Sequence, residues 1–139
     1  PNDFSEGQMA YLENYREEPH WVNLPDHINY FTFESLHDLL AKVGFSEVYR
    51  TTNFPLEFLL LSGINYYASE EESKKVSPLV RNFEDSLRNT GREKLLERYY
   101  EALAKLGFGR AIYIQVNCIN RPIDDLFVFP FLFPNERTC

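Results

Sequence analysis

The stretch of residues 25–45 constrains this chain most. It runs Pro25-Asp26-His27-Ile28-Asn29-Tyr30-Phe31-Thr32 and then on to Val43-Gly44-Phe45, marking a helix at both ends and the strand after it. Leu36, Leu39, Leu40 and Val43 fall at i, i+3, i+4 and i+7, the spacing of a helix with one apolar face. Thr32 suits the N-cap, where a hydroxyl accepts from an amide one turn on, and Glu34 sets negative charge at the positive helix end. Gly44 can take the left-handed conformation that ends such a helix, with Phe45 packing back on the last turn. A strand is expected over 47–53, ended by Pro55. The polar and aromatic side chains before Thr32 therefore stand at a helix entrance, where functional groups can be held rigidly.

The same punctuation returns once. Ala41-Lys42-Val43-Gly44-Phe45 is echoed by Ala104-Lys105-Leu106-Gly107-Phe108, again between a helical pattern and a strand-like run, here 110–118. No other spacing matches between the halves, so this is shared helix-to-strand chemistry and not a repeat. Three helices are expected between the strands. The first, 56–67, begins after Pro55 and is apolar on most sides. The second, 78–88, places Leu79, Val80, Phe83 and Leu87 on one face, and the third, 92–106, turns Leu95, Leu96, Tyr99, Leu103 and Leu106 inward. The acidic run at 70–72, with Lys74 and Lys75, reads as a solvated loop.

A chain of 139 residues suits one domain with a moderate core. Its 12 phenylalanines and 9 tyrosines must line a core, a pocket or an interface, because so much flat apolar surface is poorly left in water. A formal net charge of −7 argues against binding a phosphate backbone, which needs clustered Lys and Arg. Two cysteines, Cys118 and Cys139, make neither a disulfide framework nor a metal-ligand spacing, so the expected setting is reducing and cytosolic. No apolar run is long enough to span a bilayer, and no charged-then-apolar leader is present. No nucleic-acid, membrane or metal partner is expected.

An ordered set of motifs carries a resemblance. Pro1-Asn2-Asp3-Phe4 with Gln8, then Trp21, Asp26-His27-Ile28-Asn29-Tyr30-Phe31, Gly44-Phe45, Phe54-Pro55-Leu56-Glu57-Phe58-Leu59-Leu60 and Gly107-Phe108-Gly109-Arg110 together span nearly all of residues 1–117. The set resembles the C-terminal half of a class I S-adenosylmethionine-dependent methyltransferase, of the small-molecule group with a His-x-x-Tyr-Phe motif. The resemblance implies an α/β fold: the C-terminal part of a Rossmann-like methyltransferase domain, with an antiparallel strand pair, a helical insertion at 55–106, and mostly helical residues. Residues 1–118 would form this acceptor side and 119–139 an extended Phe- and Pro-rich tail. S-adenosylmethionine is the implied cofactor, yet its binding motif is absent. Gly107-Phe108-Gly109 precedes a strand instead of following one and cannot be the cofactor turn.

In such an enzyme this half shapes the acceptor site. Methyl transfer draws much of its rate from positioning and water exclusion. His27 is the candidate catalytic base, since imidazole titrates near neutral pH, although it can equally hydrogen-bond the loop beneath the helix. Asn2 and Asp3 resemble residues that face the acceptor, or they form a simple turn. The resemblance also sets Asp26 on the acceptor side. Trp21 and Tyr30 wall the acceptor pocket or belong to the core. Glu57 is anomalous in its apolar run and should be paired, exposed or functional, with Arg81 a candidate partner. His20 and His37 read as surface or boundary residues.

Phe127, Phe129, Phe131 and Phe133 alternate, so an extended tail would set four rings on one side, while Pro130 and Pro134 bar a central strand. Two readings follow. The chain is the acceptor-binding half of a small-molecule methyltransferase, inactive without a complementary cofactor-binding half; alternatively it is a non-catalytic interaction or dimerisation module on the same scaffold. An exposed sheet edge and an uncovered helix face would favour a homo-oligomer.

Overall fold

A computed structural model describes residues 1–16, 18–19, 21–22 and 29–119. His27 and Asp26, together with His20, Cys139 and the alternating phenylalanines of the tail, lie outside the described residues. The elements in chain order are α1 (Glu6–Tyr15), α2 (Phe33–Lys42), β1 (Phe45–Thr51), α3 (Glu57–Leu61), α4 (Glu70–Arg88), α5 (Glu93–Lys105) and β2 (Tyr113–Cys118).

The α2–β1 unit is built by local chemistry. The Thr32 hydroxyl accepts from the Ser35 amide, and Ser35 Oγ accepts from the Thr32 amide at 2.9 Å, closing the first turn from both sides. Gly44, at φ +93°, turns the chain into β1. The strand starts two residues earlier than expected because Phe45 already pairs with Cys118. Strand β1 runs antiparallel to β2 as far as Thr51↔Tyr113, and a register shift between Glu47 and Tyr49 leaves Val48 as the extra residue of a bulge. Across the α2–β1 corner, Arg50 bonds Glu47 and reaches Glu34, while His37 Nδ1 lies 2.9 Å from Glu47 Oε2. The Arg50 guanidinium holds the Glu47 carboxyl below its usual range.

A Rossmann-like domain needs several parallel strands joined by crossovers and covered on both faces. Among the described residues the strands are β1 and β2, and they pair only with each other, antiparallel. The expected α/β, Rossmann-like methyltransferase fold is therefore corrected. These residues form a small, mostly helical domain with a two-stranded antiparallel sheet. Nothing in this architecture carries the terms methyltransferase, S-adenosylmethionine or Rossmann-like over to the fold. No helix among the described residues is long and apolar enough to cross a membrane.

The helices also depart from expectation. Residues 70–75 are helical where a loop was expected, because Ser69 caps the Glu72 amide and Glu70, Glu71 and Glu72 face the positive end of the helix dipole. Pro78, expected at a helix start, instead lies inside α4. Helix α3 is only five residues long, ending at Ser62 and Gly63 instead of continuing to Tyr67. Helix α5 buries Leu96, Tyr100, Leu103 and Ala104, whereas Leu95 and Leu106 are exposed, so its inward face is rotated from the one expected. Helix α1 was not expected; its signal is the Ser5-x-x-Gln8 capping box.

Two apolar clusters make the core. Tyr11 of α1 joins Leu56, Leu59, Leu60 and Tyr66, and Leu96, Tyr100 and Leu103 of α5 form the second group. Phe54, just past β1, packs against both and ties them together.

After α5 the chain returns to β2 through residues 107–112. Thr52 Oγ1 donates to the Ala111 carbonyl at 2.7 Å, and Asn53 Oδ1 accepts from the Ala111 amide at 3.0 Å. Gly109 sits at φ +108°, and a β-carbon there would overlap the Thr52 side chain. We expect Gly109→Ala to lose about 2 kcal/mol or more of stability in urea denaturation. A change under about 0.5 kcal/mol would show that this approach is not tight.

Candidate functional site

Asn2 and Asp3 are buried, whereas Pro1 before them is exposed. The Asn2 amide donates to the Arg110 carbonyl and the Asp3 amide to the Phe31 carbonyl, both at 2.8 Å, so the segment is held between the stretch before α2 and the stretch before β2. The Asn2 side chain is 1 % exposed. Its Nδ2 donates to the carbonyls of Gly107 at 2.7 Å and Gly109 at 2.9 Å. Both side-chain hydrogens are thereby engaged, which orients the amide; Oδ1 has no hydrogen-bond partner among the described residues.

Glu57 approaches the same turn from α3. Its Oε1 accepts from the Gly109 amide at 2.9 Å, and the residue is 4 % exposed. Burial raises the Glu57 carboxyl above its ordinary range, opposed by the Gly109 amide and the Ser5 hydroxyl. The partner of Glu57 is thus a backbone amide. Arg81 instead lines a separate groove with Asn53, Glu84 and Arg110. Gly7 of α1 lies close against Glu57 and Phe108, so α1 and α3 close on the turn together.

Asn2, Asp3, Trp21 and Glu57 line one cavity of about 310 Å³. Pro1, Gln8, Leu56, Leu60, Tyr66, Tyr67 and Arg110 complete its described wall. The Tyr66 hydroxyl donates to that of Tyr67 at 2.8 Å, with ring centroids 4.1 Å apart. Burial raises both phenols, so at neutral pH they serve as hydroxyls and not as phenolates. Arg110 lies at the exposed side of the wall.

Phe4 follows Asp3 in the left-handed region, at φ 59°, a strained backbone for a bulky side chain. Its ring meets Trp21 edge-on at 5.8 Å and Tyr30 at 5.9 Å. Tyr30 is therefore one ring removed from the cavity. His27 and Asp26 lie outside the described residues, and His37 belongs to the Glu47 pair on α2.

Sequence reasoning had not singled out Tyr66, Tyr67 or Arg110 as site residues. Adjacent tyrosines just beyond a short helix are unremarkable in so aromatic a chain, and only the fold sets them opposite Asn2. Among the described residues no group of His, Cys, Asp and Glu could hold a metal ion. The polar backbone of Gly107 and Gly109 is already bonded to Asn2 and Glu57. Compared with known proteins, the chain matches no family model, no curated protein and no solved structure.

A raised carboxyl pKa has a definite consequence for stability. Below the ordinary value of 4.5, Glu57 is protonated whether folded or not; as pH rises, the unfolded chain ionises first and stability falls until the folded group ionises too. Glu57→Gln, which still accepts from the Gly109 amide, removes that loss. The variant's melting temperature should match the parent's below the ordinary carboxyl value of 4.5 and exceed it as pH rises, levelling off once the folded carboxyl ionises. A pH-independent difference, or a less stable variant at neutral pH, would contradict this environment for Glu57.

Proposed function

We propose that this chain supplies the acceptor-binding side of an S-adenosylmethionine-dependent methyltransferase acting on a small molecule. The cofactor would be held by a complementary part other than residues 1–119. The observation that carries the proposal is the convergence of the adjacent Asn2 and Asp3 with Trp21 and Glu57, from three parts of the sequence, on one cavity of small-molecule size. The proposal concerns this site and the motifs that compose it, and not the fold, which is not Rossmann-like.

In this reading Asn2, Asp3 and Glu57 supply buried polar contacts that fix the acceptor's orientation, while Trp21, Tyr66 and Tyr67 exclude water. Tyr30 supports Trp21 through Phe4. His27 is the proposed general base and Asp26 a proposed acceptor contact, on their motif positions alone. A cytosolic setting belongs to the same proposal and rests on cysteine usage.

A second reading, an interaction or dimerisation module, is favoured by uncovered apolar side chains. Leu39, Val48 and Tyr49 on α2 and β1, Leu95 and Tyr113 on α5 and β2, and Val43 and Leu106 just past the ends of α2 and α5 are all exposed. Apolar exposure of this kind suits contact with another polypeptide. That polypeptide is a complementary half in the first reading and a second copy in the other.

Calorimetry with S-adenosylhomocysteine separates the two. The 139-residue chain alone should not bind it, and binding should appear when a polypeptide supplying a cofactor-binding half is added. If no such complement brings binding, the methyltransferase reading falls. A stable homodimer in sedimentation that is indifferent to the cofactor would then support the second.

A further inference from the structure

Beside the cavity lies a second groove, of about 530 Å³, between helix α4 and the segment that follows β1. The two share Leu56 and Arg110 in their walls. Val76 and Val80, one turn apart on α4, join Phe54 and Leu56 as the groove's apolar lining. Arg81 follows Val80 on the same helix, and Arg110 enters from the turn before β2. That turn is held on both sides of the groove residue: the Arg110 carbonyl accepts from the Asn2 amide at 2.8 Å, and Ala111 is bonded to Thr52 and Asn53. Neither the Arg81 nor the Arg110 guanidinium has a hydrogen bond or ion pair among the described residues. Glu84 is the acidic side chain of the groove, and both its oxygens are engaged: Oε1 accepts from the Tyr100 hydroxyl at 2.7 Å, and Oε2 lies 2.9 Å from Arg88. Asn53 Oδ1 accepts from the Ala111 amide, so what its side chain can still offer is a donor. The groove therefore carries a surplus of positive charge in a chain whose formal net charge is −7.

We propose that this groove binds a small oxyanion, a carboxylate or phosphate monoester, carried on an aromatic or apolar body. The oxyanion would sit between Arg81 and Arg110, whose planar forks of N–H donors match two oxygens at once. The body would lie on Phe54, Leu56, Val76 and Val80 and cover apolar surface that is otherwise left to water. Charge then decides among ligands of one shape. A neutral amide keeps the apolar contact and loses the ion pairs, and an amine meets two like charges. Glu84 does not cancel the attraction, because Arg88 already offsets its charge. The proposal is independent of the acceptor reading of the neighbouring cavity and needs no cofactor.

The test is a titration of the nitrogen-15-labelled 139-residue chain, followed through its backbone amide resonances. The probes are 3-phenylpropionate, phenyl phosphate, the neutral 3-phenylpropanamide and the cationic 3-phenylpropylamine. We expect at least one of the two anions to shift the amides of Asn53, Phe54, Val76, Ser77 and Val80 saturably, and the tighter of them names the headgroup. The neutral amide should bind about tenfold more weakly than that anion, and the amine more weakly still. Arg81→Gln and Arg110→Gln, each checked for fold by circular dichroism, should each weaken anion binding about threefold or more and leave the neutral amide's affinity unchanged. Lys74→Gln, which removes an exposed cation of α4 that lies outside the groove, should leave anion affinity as it was. The inference is overturned if neither anion binds saturably at millimolar concentration, or if the shifts fall away from the groove. It is equally overturned if the neutral amide or the amine binds as tightly, if neither arginine variant weakens binding, or if Lys74→Gln weakens it as much as they do.

Discussion

Asn2 donates both side-chain hydrogens to the carbonyls of Gly107 and Gly109, and Glu57 accepts the Gly109 amide from the other side. These bonds join the start of the described chain, the short helix α3 and the turn that feeds β2, three pieces with more than fifty residues between Asn2 and Glu57 and again between Glu57 and Gly109. Thr52 and Asn53 hold the same turn one step further on, at Ala111. The two-stranded sheet packs directly against α2 and α5, and this polar clamp, with Phe54 between the two apolar clusters, fixes the turn that feeds it.

The clamp also makes the cavity. Backbone and side-chain bonds hold Asn2 and Asp3 buried, and the chain then leaves through a left-handed Phe4 to reach the cap of α1. Strain at Phe4, desolvation of Glu57 and an Asn2 Oδ1 without a partner among the described residues all oppose stability. Their concentration around one cavity is the pattern expected where a site is built at a cost to the fold.

Local chemistry was legible before the structure. Thr32, Gly44 and Phe45 delimit α2 because caps and stops act over a few residues. Charge was harder to read. The acidic run after Ser69 looks like a solvated loop, and it is solvated, yet a capped first turn with acidic residues at its positive end is equally a helix start. Glu57 was visible as an anomaly in an apolar run, but its partner is a backbone amide, which leaves no side-chain signature in the sequence. Tyr66, Tyr67 and Arg110 reach the cavity only through the tertiary fold. The Rossmann-like expectation failed for a related reason: motifs describe local pieces, whereas the number and direction of strands are global, and the described strands form a single antiparallel pair.

Native-state hydrogen exchange at the Gly109 amide tests the clamp most directly. That amide donates to a buried carboxyl and belongs to no helix or strand ladder, so its protection reports on the Glu57 contact and on the turn that Asn2 holds. The account predicts that it exchanges only with global unfolding, as slowly as the core amides of α5, and that Asn2→Ala abolishes this protection. Rapid exchange in the parent protein, at the rate of an exposed loop, would contradict it.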